Sequence, residues 1–503
     1  MRKNKVIFIK NALVLTVTGL FIRFLGMFFR VWLASAVGAE GIGLYSQIFS
    51  FYMLSSAFAS AGINTAVTRL VSEELSSGNY SGARTVVKRC VFVTLFIALS
   101  SSLLIFVSAD FIANRFIGDA RSVEALKTLT LSLPFMGVSS CLKGYFIARK
   151  KAAPSSSALL FEQLSRIALI FFLVKNMAKS SVAAAARAVI LGDSIAEILS
   201  CFYLYICYNV DKCNILSNKN KGLGYSVLSK LKHIALPITV GRYLNSTLRT
   251  VENVLVPKRL ERFGMKYSDA LSVFGVIKGM ALPLIFFPSS FLNAMSTLLI
   301  PEMSEASFQG RALKVKYTAE KCIHITLISS FPLAVIFFYG SAPLGMLFYK
   351  DATAGEVIRL LAPIIPLMYL DSVCDGLLKG LDEQGSLFRN SLIDSIIRLG
   401  LIMLFLDKTG LVGFIGIMYI SNAFTCLMNL FRLKKISKAE IKWAKWVFFP
   451  ALLSLVLGTS VYLIIEPLKP SNLLFSTIFA SATALLYLFC VVKAGCITRE
   501  DLR

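Results

Sequence analysis

Runs of about 20 apolar residues, separated by short polar and basic stretches, recur along nearly the whole chain. They fall at roughly 11–34, 44–68, 89–108, 123–147, 156–175, 183–208, 231–256, 270–299, 320–340, 354–378, 388–406, 411–431, 446–465 and 471–493. At ~1.5 Å per residue, a helix of that length crosses a hydrocarbon core ~30 Å thick. The runs are solidly apolar and do not alternate every second residue, which excludes a transmembrane β-barrel. The pattern predicts an all-α polytopic membrane protein with about 14 transmembrane helices.

The polar positions repeat as well. Shifting the chain by 232 residues lays Gly43 on Gly275, Thr65 on Thr297, Ser72-Glu73 on Ser304-Glu305, Gly78 on Gly310 and Cys90 on Cys322. The same shift brings Glu162 onto Asp394 and Arg166 onto Arg398. Six runs separate each element from its partner. An even number preserves orientation, so the expected repeat is parallel, about an axis along the membrane normal. Two six-helix lobes around a central cavity follow, with two extra C-terminal helices. The expected division is an N-lobe at 1–208, a cytoplasmic linker at 209–230, a C-lobe at 231–431, and a basic linker with spans 13 and 14 at 432–503. Gly78 and Gly310 predict matching turns between spans 2 and 3 and between spans 8 and 9.

Composition agrees with the membrane reading: 56% of the 503 residues are hydrophobic and the mean hydropathy is +0.71. A net charge of +25 invites a nucleic-acid reading, but the distribution of that charge argues against one. Thirty-two of the 53 Lys and Arg residues sit in alternate connections and the two termini. That is the positive-inside pattern, which predicts both termini cytoplasmic and basic loops touching anionic lipid. The first apolar run carries Arg23 and Arg30 and lacks a small-x-small cleavage site, so it reads as a span and not a secretory signal. The ten cysteines are scattered and read as packing residues.

Charges inside spans carry the functional signal, since each costs at least ~2.5–3.5 kcal/mol at mid-bilayer. Arg23 and Arg30 in span 1 lie two helical turns apart, on one face, and Arg242 and Arg249 in span 7 repeat that spacing. Glu252 follows Arg249 by three. Aligning Gly19 with Gly241 places Arg30 opposite Glu252 across the expected lobe interface. Arg23, Arg30 and Arg249 lack an acid at i±4 and are candidates for a cationic cavity, with snorkelling to a headgroup as the alternative. In span 5, Glu162 precedes Arg166 by four, and in span 11 Asp394 precedes Arg398 by four, the favourable order for a helical ion pair. These pairs either pin the lobes or line the cavity. Asp193 and Glu197 in span 6, and Asp371 and Asp375 in span 10, are candidate proton or cation sites, with plain solvation as the other reading.

Arginine suits phosphate, because its planar fork offers bidentate donors and stays charged. A diphosphate-bearing lipid would satisfy such a cavity while its tail stays in the bilayer. Enzyme signals are poor: there are only two histidines, His233 and His324, and Gly38 to Gly43 lacks the Lys-Ser/Thr ending of a phosphate loop. No metal, cofactor or catalytic residue is expected. His324 reads as a packed residue, and the Gly38–Gly43 stretch as a tight turn.

Several motifs in order carry a resemblance: Gly38-Ala39-Glu40-Gly41-Ile42-Gly43-Leu44-Tyr45; Lys143-Gly144-Tyr145-Phe146-Ile147-Ala148-Arg149; Phe161-Glu162-Gln163 with Arg166; and Leu299-Ile300-Pro301-Glu302-Met303-Ser304-Glu305. Together they resemble the stage V sporulation protein B group of the multidrug/oligosaccharidyl-lipid/polysaccharide exporter superfamily, over essentially the whole chain. The resemblance implies alternating access for a polyprenyl-diphosphate saccharide, such as a peptidoglycan or spore-cortex precursor. It also implies spans 13 and 14 housing the lipid tail. Arg23-Phe24-Leu25-Gly26 resembles the span 1 motif of lipid II flippases, although Arg30 comes one residue later and Val31 stands where those proteins carry an acid. The expected function is a flippase, with cell-wall synthesis proteins as further partners. The alternatives are a cation-coupled drug exporter, which calls for an anionic cavity, a polytopic transferase on a polyprenyl lipid, and a non-transporting scaffold.

Overall fold

The computed structural model describes residues 2–60, 62–177, 181–213, 226–468 and 471–496, and no strand occurs among them. Residues 214–225, the centre of the expected linker, and 497–503 lie outside the described residues. By contacts the chain divides into two compact units, residues 1–26 with 36–257 and residues 27–35 with 258–503.

The first unit is built on α1 (Arg2–Ser60, apart from residues 27–35), α2 (Ile63–Ser76), α3 (Tyr80–Phe111), α4 (Val123–Leu129), α5 (Leu133–Ala148), α6 (Ala152–Met177), α7 (Val182–Cys213) and α8 (Val227–Arg262) as far as Pro257. α1 is two helices joined at Gly38, whose φ of 78° and ψ of 170° break the helical path at the expected turn. The elbow between α2 and α3 turns at Gly78 (φ 73°), and Asn79 caps α3 by accepting from the Gly82 amide at 3.0 Å. α2, α3, α5, α7 and α8 enclose a core that includes Val67, Leu70, Val86, Cys90, Tyr145, Phe146, Leu204 and Leu231.

The expected lobe boundary preceded span 7, whereas contacts place the division after Pro257, so α8 packs with the first unit. Three bonds at one end of α8 account for this. Thr250 Oγ1 donates to the Ser50 carbonyl at 3.1 Å, Asn253 Nδ2 donates to Ser50 Oγ at 2.7 Å, and the Asn253 carbonyl accepts from Gln47 Nε2 at 3.4 Å. Near the other end, Lys230 Nζ meets Glu73 at 3.1 Å. Between them Gly62 (φ 74°) lies so close to α8 that a Cβ there would stand 2.5 Å from the Ala235 carbonyl oxygen.

The second unit holds α9 (Tyr267–Gly275), α10 (Leu282–Phe286), α11 (Ser289–Phe308), α12 (Ala312–Tyr339), α13 (Ser341–Tyr349), α14 (Ala352–Leu361), α15 (Ile365–Gly380), α16 (Gln384–Ser437), α17 (Phe449–Ile465) and α18 (Asn472–Lys493). Gly310 (φ 68°) makes the elbow between α11 and α12, the same left-handed turn that Gly78 makes 232 residues earlier. The core draws on Met303, Ala319, Cys322, Val373, Leu377, Cys426, Leu430 and Trp446. His324 is buried and stacks on Trp446, ring centroids 4.8 Å apart. α17 and α18 zip together through Val461, Ile465, Phe475 and Phe479.

Ten of the described helices are long and apolar enough to cross a membrane, or eleven if the pair 120–129 and 133–148, bent by 41°, forms one crossing. Two causes separate that number from the fourteen runs in the sequence. α1 and α16 each join two runs, and Gly410 (φ 58°, ψ −143°) is the break inside the 54-residue α16. α8, at 36 residues, has the length but carries Arg242, Arg249, Glu252 and Lys258. The outer faces fit hydrocarbon: Phe92, Leu104, Leu404 and Leu485 are 65% or more exposed, which water would penalise.

Candidate functional site

Polar side chains converge at one place in each unit. In the first, α6 and α7 pack tightly side by side, and the small residues Ser156 and Ala158 let them approach. Glu162 and Arg166, one turn apart on α6, form an ion pair at 2.7 Å. The same guanidinium reaches Asp193 on α7 at 2.8 Å, and Gln163 Oε1 accepts from it at 3.1 Å. Tyr45 of α1 donates to the other Asp193 oxygen at 3.2 Å. Lys143 of α5 lies 3.5 Å from Glu162, and Ser200 donates to that carboxylate. Glu197 is buried one turn beyond Asp193, with Glu162, Lys143 and Arg166 as its charged neighbours. Three acids and two bases thus share one largely buried patch of helix packing, leaving one formal negative charge in excess.

In the second unit the cluster lies between α15 and the two halves of α16. Asp394 pairs with Arg398 at 2.5 Å and accepts from Ser421 at 2.5 Å. Asn390, one turn before Asp394, donates to Asn429 at 2.9 Å, and Asn429 donates to Asp371 at 2.8 Å. Asp371, Asn429 and Asn390 therefore form a chain of hydrogen bonds beside the Asp394 pair. Asp375 does not join it: Lys379, one turn further along α15, holds Asp375 at 2.5 Å. Of the two acids paired by spacing, one faces the cluster and the other an exposed lysine.

The span arginines have a different character. Arg23, Arg30, Arg242 and Arg249 are all exposed, and among the described residues none of them makes a hydrogen bond or ion pair. Arg30 lies within electrostatic reach of Tyr349, whose hydroxyl donates to the Met280 carbonyl at 2.9 Å. Glu252 is buried on α8, three residues and less than one turn beyond the exposed Arg249. Cations that stay unpaired in helices of this apolarity are costly unless an anion or water meets them.

Spacing reasoning located the two i,i+4 pairs but not most of their partners. Asp193 joins Glu162 and Arg166 from 27 or more residues away, and Ser421 and Asn429 from a separate helical segment. Asn390 was within reach, since it sits one turn before Asp394 on the same face.

The architecture is that of a multi-pass helical membrane protein. It superposes on a lipid II flippase, MurJ, in an inward closed conformation with a TM-score of 0.74, covering 98% of this chain and all of that one at 16% identity. An inward-facing multidrug resistance MATE family transporter of the MOP superfamily gives 0.63 over 85% of the chain at 14% identity. At those identities the likeness is one of fold. The chain belongs to the polysaccharide biosynthesis protein family, which matches residues 8–307. Among its relatives, stage V sporulation protein B of Bacillus subtilis is 27% identical over 415 residues, 81% of this chain and 79% of that protein. Lipid II flippase MurJ of the same organism is 21% identical over 425 residues, 78% and 76% of the two chains.

Proposed function

We propose that this chain is a flippase that carries a polyprenyl-diphosphate-linked saccharide across the bacterial plasma membrane by alternating access, and that it is not an enzyme. The observation that carries this reading is the set of exposed span arginines without hydrogen-bond or ion-pair partners among the described residues, in a chain that resembles a lipid II flippase in sequence and fold. A diphosphate offers each guanidinium the bidentate acceptor that the protein does not supply. Arg23, Arg30 and Arg249 are the cations proposed to serve the substrate, each to be judged by its own variant, with Glu252 as a neighbouring orienting charge. A MATE exporter handling cations would call for acids in these places, so the excess of unpaired arginine favours an anionic cargo.

Movement needs a driving force, and the chain of Asp371, Asn429 and Asn390 is proposed as a coupling site, with Glu197 as its counterpart in the first unit. Both termini are placed in the cytoplasm on the strength of the basic loops, and cell-wall synthesis proteins are the proposed partners.

The test is reconstitution into liposomes with a fluorescent undecaprenyl-diphosphate saccharide, followed by protection of the label from an impermeant quencher. Protein-dependent flipping that is lost in Arg30→Ala at equal reconstitution supports the reading. Undiminished flipping in that variant removes Arg30 from the site, and no flipping under sodium or proton gradients overturns the function.

A further inference from the structure

Apart from the clusters already described, the first unit holds a groove of about 540 Å³ where the start of α3 meets the start of α8. Its chemistry is graded along α3. Lys88 and Arg89 stand at the polar end, and Phe92 and Val93 follow one turn deeper, so spacings of three and four residues keep all four on one helical face. Leu228 and Leu231 of α8 complete the apolar wall. Among the described residues no acid lines the groove. Lys88 and Arg89 are exposed, and neither makes a hydrogen bond or ion pair among the described residues. Glu73 of α2, which Lys230 of α8 reaches, is already held by Arg69 at 3.2 Å and Lys230 at 3.1 Å.

Two unpaired cations at the boundary where α3 turns from basic to apolar, above an aromatic and aliphatic trough, match the two parts of a phospholipid. We propose that this groove binds an anionic phospholipid of the leaflet the basic loops face, with its phosphate on Lys88 and Arg89 and an acyl chain along Phe92, Val93, Leu228 and Leu231. Charge complementarity selects the headgroup. The volume falls within the ~300–1,000 Å³ of small-molecule sites, and the apolar wall rewards a chain that free phosphate lacks. Because α3 and α8 each contribute one wall, the lipid would brace the first turns of α8 against α3. The inference does not depend on what the protein transports.

The experiment is native mass spectrometry of the full chain in neutral detergent, titrated with phosphatidylglycerol, phosphatidylcholine, a short-chain glycerophosphoglycerol analogue, or inorganic phosphate. Phosphatidylglycerol should be retained more tightly than phosphatidylcholine. At about 1 kcal/mol per basic residue near an anionic surface, Lys88→Gln with Arg89→Gln should weaken that retention on the order of 30-fold. Lys434→Gln with Lys435→Gln removes an equal charge elsewhere and should leave retention unchanged. Equal weakening by both double variants would mean diffuse surface charge and overturn the site. Short-chain analogue or phosphate binding as tightly as the full lipid would make it an anion site only, which also overturns the proposal. All four substituted side chains are exposed or half-buried, and an unchanged melting temperature in neutral lipid keeps a folding defect from imitating the result.

Discussion

At the scale of single residues, the chain separates charges that are paired from charges that are left open. Glu162–Arg166 and Asp394–Arg398 are paired within the protein, whereas Arg23, Arg30 and Arg249 have no hydrogen bond or ion pair among the described residues. Substitutions should report that difference in opposite ways. Asp394→Leu strips Arg398 and Ser421 of their shared acceptor, and breaking one side of a buried pair costs about 3–5 kcal/mol. The melting temperature should fall by several degrees, and adding Arg398→Met should restore most of the loss, because both charges are then gone. Failure of the second substitution to rescue would mean that Arg398 is not what Asp394 compensates. For Arg249, flipping should fall about tenfold or more in Arg249→Ala with no change in melting temperature, and Arg249→Lys should recover only part of it, since lysine keeps the charge but loses the fork. Equal activity of the lysine and arginine forms would remove the bidentate contact from the account. The sequence made the pairs legible because both partners lie on one helix at a fixed spacing. It singled out Asp193 but not its meeting with Arg166, nor Lys143 or Tyr45 as neighbours, because that depends on how α1, α5, α6 and α7 pack.

Elements show the same division between local and distant information. The turns at Gly38, Gly78 and Gly310 were readable because a left-handed φ is what glycine supplies most cheaply. Gly62 could not be assigned from its neighbours, because its constraint comes from Ala235, some 170 residues away. Gly62→Ala combines a positive φ of 74° with a clash against backbone, so it should destabilise by more than the ~1–2 kcal/mol expected of the φ alone. Thermal unfolding in detergent measures this, and a wild-type melting temperature would show that α8 can retreat without cost. At the start of α16, Glu383 holds Arg432 through two bonds of 2.7 and 2.9 Å and accepts from Ser386. The Arg432 guanidinium, helped by Ser386, keeps the Glu383 carboxyl below its usual range. A depressed carboxylate adds stability above the pKa of the unfolded chain, ~4.3, and loses it as pH falls through the folded value. Melting temperatures of the wild type and Glu383→Gln should therefore differ slightly at pH 6 and converge once the pH has fallen through the depressed Glu383 value. A gap that persists in acid would point to lost packing instead of lost charge.

For the whole molecule, hydropathy established the helical membrane class, and the periodic elbows correspond to real turns. The grouping of α8 was not legible, because span 7 reads alike whichever neighbours it packs against. Its side chains choose: Thr250 and Asn253 find Ser50, and Lys230 finds Glu73. The positive-inside distribution makes a further prediction at this scale. Green fluorescent protein fused after residue 503 should fluoresce, and alkaline phosphatase fused there should be inactive; the reverse pattern would invert the topology and move the lipid groove to the outer leaflet.

The close approach of Gly62 to Ala235 gives α8 a fulcrum. No side chain cushions that crossing, and Pro237, two residues on, removes a helical hydrogen bond beside it. Lys230 lies five residues to one side and Thr250 fifteen to the other, arms of roughly 7 and 22 Å at ~1.5 Å per residue. Any tilt about this point is therefore magnified about threefold between the Glu73 clasp and the Ser50 contacts. The proposed phospholipid groove would act on the short arm of this lever and Arg249 would ride on the long one, so if α8 tilts as a rigid rod, a displacement of half an ångström at the membrane surface would arrive at the arginine as more than one.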